Sequence, residues 1–258
     1  RGYDSAGIGM ITPQGVFSVT KAVGRIDNLA MALGDNPADG SVGIGHTRWA
    51  THGPATQENA HPHVDHQNEI AVVHNGVIEN FHQLREELQA QGHEFASATD
   101  SEVIAHLIAF HLRELKGNNG HASEPVDQYN ILLQAVTETL AKLRGTYGLV
   151  VLFRDYPKVM IAARLGSPLV VGIGSNEYYV ASDASPLAGF ADKIVYLADH
   201  QLALITGNGM RVSHRELGQI QPTIEPLTVD SNQVELDGYP HYMLKEIFEQ
   251  PEALENAM

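Results

Sequence analysis

The sequence predicts an α+β fold in which two antiparallel sheets lie face to face with helices outside them. Three observations carry this. Amphipathic helices of period 3.6 recur before residue 145, and six short apolar runs separated by turn residues follow it. Several of those runs are apolar on consecutive residues, so both faces of their sheets are expected to be covered.

The first half mixes strands and helices. Ser41 to Gly45 and Ile70 to Val73 read as strands leading into polar loops. Phe81, Leu84 and Leu88 form one stripe opposite Arg85, Glu86 and Glu87. This predicts a short helix that Asn80 and Gln83 cap and Gly92 ends. A second helix is expected over Asp100 to Leu115, with Thr99 and Glu102 at capping-box spacing, and a third over Asp127 to Leu143. Strands follow at Tyr147–Phe153, Val159–Ala163, Leu169–Ile173, Tyr178–Ala181, Ile194–Leu197 and Leu202–Ile205. Periodicity fades from His214 to Gly238, which reads as a linker, and His241 to Met258 reads as a helix.

Composition narrows the function. The chain has 258 residues, 43% of them hydrophobic and 18% charged, which is the balance of a globular protein. A net charge of -15 argues against a nucleic-acid partner, which requires a clustered basic face. No apolar run approaches the roughly eighteen residues of a membrane span. There is no cysteine, so these residues offer no disulfide, thiolate ligand or thiol nucleophile. Arg1 opens the chain without a signal-peptide pattern, and with no disulfides the cytoplasm is the expected compartment.

Seven of the 14 histidines fall between His46 and His82, and His61-Pro62-His63 raises a zinc hypothesis. No H-E-x-x-H motif supports it, so these histidines are read as lining or bracing loops, with no metal and no cofactor expected. Gly172-Ile173-Gly174 lacks the third glycine of a dinucleotide loop, and Ser5 lacks the flanks of a nucleophile elbow. Two polar loops remain. Asn75-Gly76 between apolar runs reads on pattern alone as a tight hairpin. The competing reading is an oxyanion site built from the Asn75 amide and the Gly76 N–H. In His46 to Gly53, Arg48 suits either a substrate carboxylate or an ordinary salt bridge, and Trp49 suits a core anchor. Asp100 suits a helix N-terminus or an ammonium group. Arg48 and Asp100 together would hold the two charged ends of an amino acid.

Arg1-Gly2-Tyr3-Asp4-Ser5-Ala6-Gly7, His46 to Gly53, His74 to Asn80 and Thr99 to Val103, taken with Gly166 to Leu169, Ala181-Ser182-Asp183 and His241 to Ile247, resemble the glutamine amidotransferase domain of the N-terminal-nucleophile class. Within that class they are most similar to the glutamine–fructose-6-phosphate aminotransferases. The resemblance implies a four-layer αββα sandwich and hydrolysis of glutamine by an N-terminal cysteine, whose own α-amine is the base. It implies that Asn75 and Gly76 stabilise the oxyanion, Arg48 holds the α-carboxylate and Asp100 the α-ammonium. Thr51 and His52 would lie on a loop closing over substrate, and Trp49 would gate ammonia. The implied partners are L-glutamine or L-glutamate, an isomerase domain of the parent chain, and further copies in a homo-oligomer, with no membrane or nucleic acid. Residues 1–213 would then be the glutaminase domain, 214–240 a linker and 241–258 the start of the isomerase domain. The cysteine and first strand of the family pattern are absent from the sequence, so glutaminase turnover is not expected of it alone. A non-catalytic binding or regulatory module of the same fold is the alternative.

Overall fold

The computed structural model describes residues 4–34, 40–118, 129–228, 238–240 and 242–257. The Arg1-Gly2-Tyr3 part of the first motif, the first residues of the expected third helix and His241 lie outside the described residues.

A seven-stranded antiparallel sheet forms the centre. Its longest members are β5 (Ile70–Ile78) and β6 (Gly145–Phe153), paired along their whole lengths from Ile70↔Phe153 to Ile78↔Gly145. On one side β6 is followed by β7 (Val159–Leu165), β11 (Gln201–Thr206), β12 (Gly209–His214) and β13 (Gly218–Ile220). On the other side β5 meets only β4 (His63–Val64), which pairs with Val72 and Ala71 and goes no further. Among the described residues, most of β5 therefore has no strand beside its outer edge.

Strand alternation sorts the two faces of this sheet. Ile70, Val72, Leu149, Val151 and Phe153 point to a core shared with three helices, α2 (Phe81–Ala90), α3 (Glu102–Asn118) and α4 (Asn130–Lys142). Ala71, Val73, Val150 and Leu152 point the other way, into an inter-sheet core. The opposing layer is made of two hydrogen-bonded sheets. One is β2-β1-β3, from β1 (Ser5–Ile11), β2 (Phe17–Val23) and β3 (Gly43–Arg48). The other is β14-β10-β8-β9, from β8 (Val170–Ile173), β9 (Tyr178–Ala181), β10 (Lys193–Tyr196) and β14 (Glu225–Pro226). Outside them lie α1 (Ile26–Leu33), whose Leu29 is buried, and a short 3-10 turn at Ser185–Leu187. The αββα order is thus present, with one inner layer divided. A last helix, α5, spans Tyr242–Ala257.

Several local expectations change. Asn75-Gly76 is no hairpin: both residues lie inside β5, paired with Gly148 and Tyr147 of β6. Asn80 does not cap α2 with its side chain. It donates instead to the Lys142 carbonyl at 2.9 Å and accepts from the Arg144 N–H at 2.9 Å, tying the start of α2 to the end of α4. Thr99 and Glu102 form no capping box, because Glu102 reaches the backbone N–H groups of Ala96 and Ser97 at 2.8 and 2.7 Å. The segment expected to be a linker includes β13 and β14, each paired into a sheet.

Ile104 is fully buried where α3 meets the central sheet. Ile104→Ala is expected to lower stability by about 2–5 kcal/mol, the cost of lost burial plus a cavity that neighbours fill only partly. Urea unfolding measures this, and a loss under about 1 kcal/mol would mean that the helix layer is not packed as described.

Candidate functional site

A cleft of about 700 Å³ opens between β3 and β9, the edge strands of the two smaller sheets, and β5 and β6 form its floor. Arg48, Trp49, Thr51, His52, Asn75, Gly76 and Asp100 all line it. They come from three places: the end of β3 and the turn after it, the middle of β5, and the residues leading into α3.

The floor follows from strand geometry. N–H groups along a strand alternate between its two edges. The N–H of His74 donates to His61 Nδ1 at 3.3 Å, and that of Ile78 to Asp100 Oδ2 at 2.8 Å, so both point away from β6. The N–H of Gly76, midway between them, faces the same edge, where no strand runs among the described residues. Only glycine fits here: its φ is 146°, and a Cβ would meet the Thr146 carbonyl at 2.1 Å. Asn75 shares the inter-sheet face with Ala71 and Val73 and is exposed to the cleft. Residues 75 and 76 can therefore present an amide and a backbone N–H toward one cavity.

Asp100 is buried at one lip, 3.8 Å from His52 Nδ1 and 3.4 Å from Ser101 Oγ. Arg48 is also buried and lines the same cleft. Its guanidinium donates to the carbonyls of His52, Gly53 and Pro54 and lies 3.6 Å from Asp4. The salt-bridge reading and the binding reading of Arg48 are therefore not exclusive, since the same fork that closes the 52–54 turn also borders the cleft. Trp49 is 71% exposed, which excludes its reading as a core anchor. Thr51 Oγ1 lies 3.2 Å from His52 Nδ1.

Sequence reasoning gave no role to His74, Ser101 or Asp4. His74 Nε2 stands 3.2 Å from the Thr146 carbonyl, which can only accept, so the proton resides there. Nδ1 is then free to accept from Ser101 Oγ at 2.9 Å. Ser101 carried a usable signal, its place beside Asp100, whereas the contact of His74 with residue 146 has no local trace.

Four histidines, His46, His61, His63 and His74, are uncharged near neutral pH. Burial, helped by nearby His74 and Arg48, lowers His46 to about 4. Burial lowers His63 to about 3, and takes His61 and His74 below the usual imidazole value. His46, His61 and His74 wall the cavity as neutral dipoles. Each such group carries a depressed folded pKa against an ordinary unfolded one near 6.5. Below that value the unfolded chain binds a proton that the folded chain refuses, so stability falls as pH drops. His63 alone is expected to cost about 1.4 kcal/mol per pH unit from roughly pH 6.5 toward 4. Urea titrations across that range test the slope, and His63→Gln should reduce it. An unchanged slope would mean that His63 is not buried uncharged.

Comparison with known proteins agrees with this geometry. The family described as "Glutamine amidotransferase domain" matches residues 46–189. A glutamine–fructose-6-phosphate aminotransferase (isomerizing) of Bacteroides thetaiotaomicron is 42% identical over 259 residues, covering 100% of this chain and 40% of that protein. The protein of the same name from Zymomonas mobilis is 44% identical over 251 residues, covering 97% of this chain and 39% of its own length. The chain spans about two fifths of the length of these curated relatives. Among solved structures, a glutamine phosphoribosylpyrophosphate amidotransferase from B. subtilis, complexed with ADP and GMP, superposes with a TM-score of 0.63. It is 25% identical, over 84% of this chain and 44% of that one. Among the described residues no helix is long and apolar enough to cross a membrane. With the motif-bearing strands and turns gathered on one cleft of an αββα sandwich, the chain belongs to the glutamine amidotransferase domain family.

Proposed function

We propose that this chain is the glutamine-hydrolysing part of an enzyme that transfers glutamine's amide nitrogen to fructose 6-phosphate. The observation that carries the reading is the convergence of Arg48, Asp100 and the Asn75–Gly76 pair on one cleft. A cation and an anion on one cleft suit a zwitterionic amino acid, and the amide donors on its floor suit the oxygen of its side-chain amide. Arg48 takes the α-carboxylate, using guanidinium N–H groups not committed to the 52–54 turn. Asp100 takes the α-ammonium. Its second oxygen remains on the Ile78 N–H, which keeps the carboxylate in place when substrate leaves.

The chemistry needs a nucleophile that these 258 residues do not contain, because none is cysteine. In the proposed reaction an N-terminal cysteine thiol, supplied by residues preceding Arg1, attacks the amide carbon. Its α-amine takes the thiol proton and passes it to the departing ammonia. The negative charge on the carbonyl oxygen falls to the Asn75 amide and the Gly76 N–H. Water then attacks the thioester, releasing glutamate and the thiol. The cleft borders β3 and β9, so an added strand carrying the cysteine has two unpaired edges to join.

Trp49 stands exposed beside the cleft, where it suits a gate that keeps ammonia from bulk water. Thr51 and His52 suit a closing loop. Residues 241–258 fit the start of a sugar-phosphate isomerase domain. In support, α5 exposes Met243, Ile247, Phe248 and Leu254, an apolar surface suited to contact with a following domain. A homo-oligomeric parent and a cytoplasmic setting belong to the same proposal.

Joining a cysteine-initiated segment to Arg1 is expected to create ammonia release from glutamine. Asn75→Ala in that protein should lower kcat by about 10²–10³, with glutamine binding retained. Asn75 is exposed and its loss leaves no buried partner, so folding is not at stake. A folded, restored chain that releases no ammonia, or an Asn75→Ala variant with full turnover, refutes the proposal. The chain as given, with no thiol, is expected to bind glutamate without turnover, and calorimetry should show binding weakened at least tenfold by Asp100→Asn. Equal affinity would favour a different ammonium site.

A further inference from the structure

Apart from the residues that line the cleft, three histidines bring their rings together. His66 lies on the turn between β4 and β5, His93 follows α2, and His106 sits within α3. One ring nitrogen from each lies within 4.8 Å of the others. His106 Nδ1 is 3.5 Å from His66 Nδ1 and 3.2 Å from His93 Nδ1. None of these residues lines the cleft, and the reaction proposed above does not use them.

Hydrogen bonding alone serves this cluster poorly. A neutral imidazole nitrogen offers one N–H or one lone pair, so His106 Nδ1 can pair well with only one of its two neighbours. Its other nitrogen decides which form it takes. Nε2 is buried without a hydrogen-bond partner and stands 3.6 Å from Glu102 Oε1. That carboxylate is fixed by Ser97 Oγ at 2.6 Å and by the N–H groups of Ala96 and Ser97. A proton on Nε2 would face Glu102 Oε1 and leave the Nδ1 lone pair toward the other two rings.

We propose that His66, His93 and His106 form a binding site for a divalent transition metal, zinc being the natural occupant, with the fourth position open to solvent on the exposed His66 side. The spacing fits. With Zn–N bonds of about 2.0–2.1 Å in a tetrahedron, ligand nitrogens stand roughly 3.4 Å apart, and the two measured separations bracket that value. Glu102 supplies the carboxylate behind a ligating histidine that such sites commonly use to orient the ring. The frame around the ligands is rigid. The Asp65 carboxylate accepts from the N–H groups of Gln67, Glu69 and Ile70 and holds the turn that carries His66. Phe95 packs against the His106 ring at 4.2 Å between centroids. Arg113 is the nearby cation, and it is paired with Asp65 and Glu69. The donor set, three imidazoles and no thiolate, suits zinc, cobalt, nickel or copper over magnesium or calcium. A bound ion would join the β4–β5 turn, the segment after α2 and the first turns of α3, and so brace Asp100 and Ser101 at the lip of the cleft.

The test uses the protein purified without a histidine tag, stripped with a chelator and titrated with Co²⁺ and with Zn²⁺. The expected result is one equivalent of metal, the visible absorption of four-coordinate cobalt, and a thermal midpoint raised by zinc. His66→Ala alters an exposed ring on a turn held by Asp65, so it should fold and bind at least tenfold more weakly. His93→Phe keeps an aromatic ring and should lose the cobalt spectrum. Absence of stoichiometric binding, or affinity unchanged in both variants, overturns the proposal. If His93→Phe does not fold, His66→Ala alone decides. The outcome is independent of glutaminase activity, so this site and the reaction of the cleft stand or fall separately.

Discussion

The site depends on one mismatch of strand lengths. β5 has nine residues, while its neighbour β4 pairs with only two of them. Beyond Val72 the outer edge of β5 would carry unpaired N–H groups inside the protein, each costing about 1–3 kcal/mol if left unsatisfied. His61 takes the N–H of His74, and Asp100 takes that of Ile78. The Gly76 N–H between them opens on the cleft. The same deficit that fixes Asp100 in place therefore leaves one donor facing the cleft.

α3 turns this local solution into a connection across the molecule. Asp100 and Ser101 face the cleft immediately before the helix. Glu102, its first residue, turns to Ala96, Ser97 and His106. One turn of chain thus carries the anion at the cleft and the carboxylate behind the histidine cluster. Whatever stiffens the segment after α2 also stiffens the lip of the cleft.

Electrostatics support this division of labour. His46, His61 and His74 are held neutral by burial, and Arg48 and Asp100 border the same cleft. In a low-dielectric setting each acts over a longer range than it would in water. Arg48 also closes the 52–54 turn through the carbonyls it binds, so the position of the cation and the shape of the turn are a single constraint.

The helices at Phe81, Asp100 and Asn130 and the strands after Gly145 were legible in sequence, because burial on one face or on alternate residues leaves a periodic trace. The residues that line the cleft were legible as well, though as a pattern of motifs and not as a geometry. Three features were decided by tertiary structure alone. Asn75-Gly76 has the composition of a hairpin, but continuous pairing with β6 draws it into a strand. Thr99 and Glu102 have capping-box spacing, but the N–H groups of Ala96 and Ser97 compete for the carboxylate and win. His66, His93 and His106 share no regular spacing, and only the packing of α3 against the β4–β5 turn brings them together. The sequence by itself determined which segments bury a face, since burial is a property of each segment's own pattern. Which donors meet which acceptors was decided by the register between distant strands, and no single segment records that.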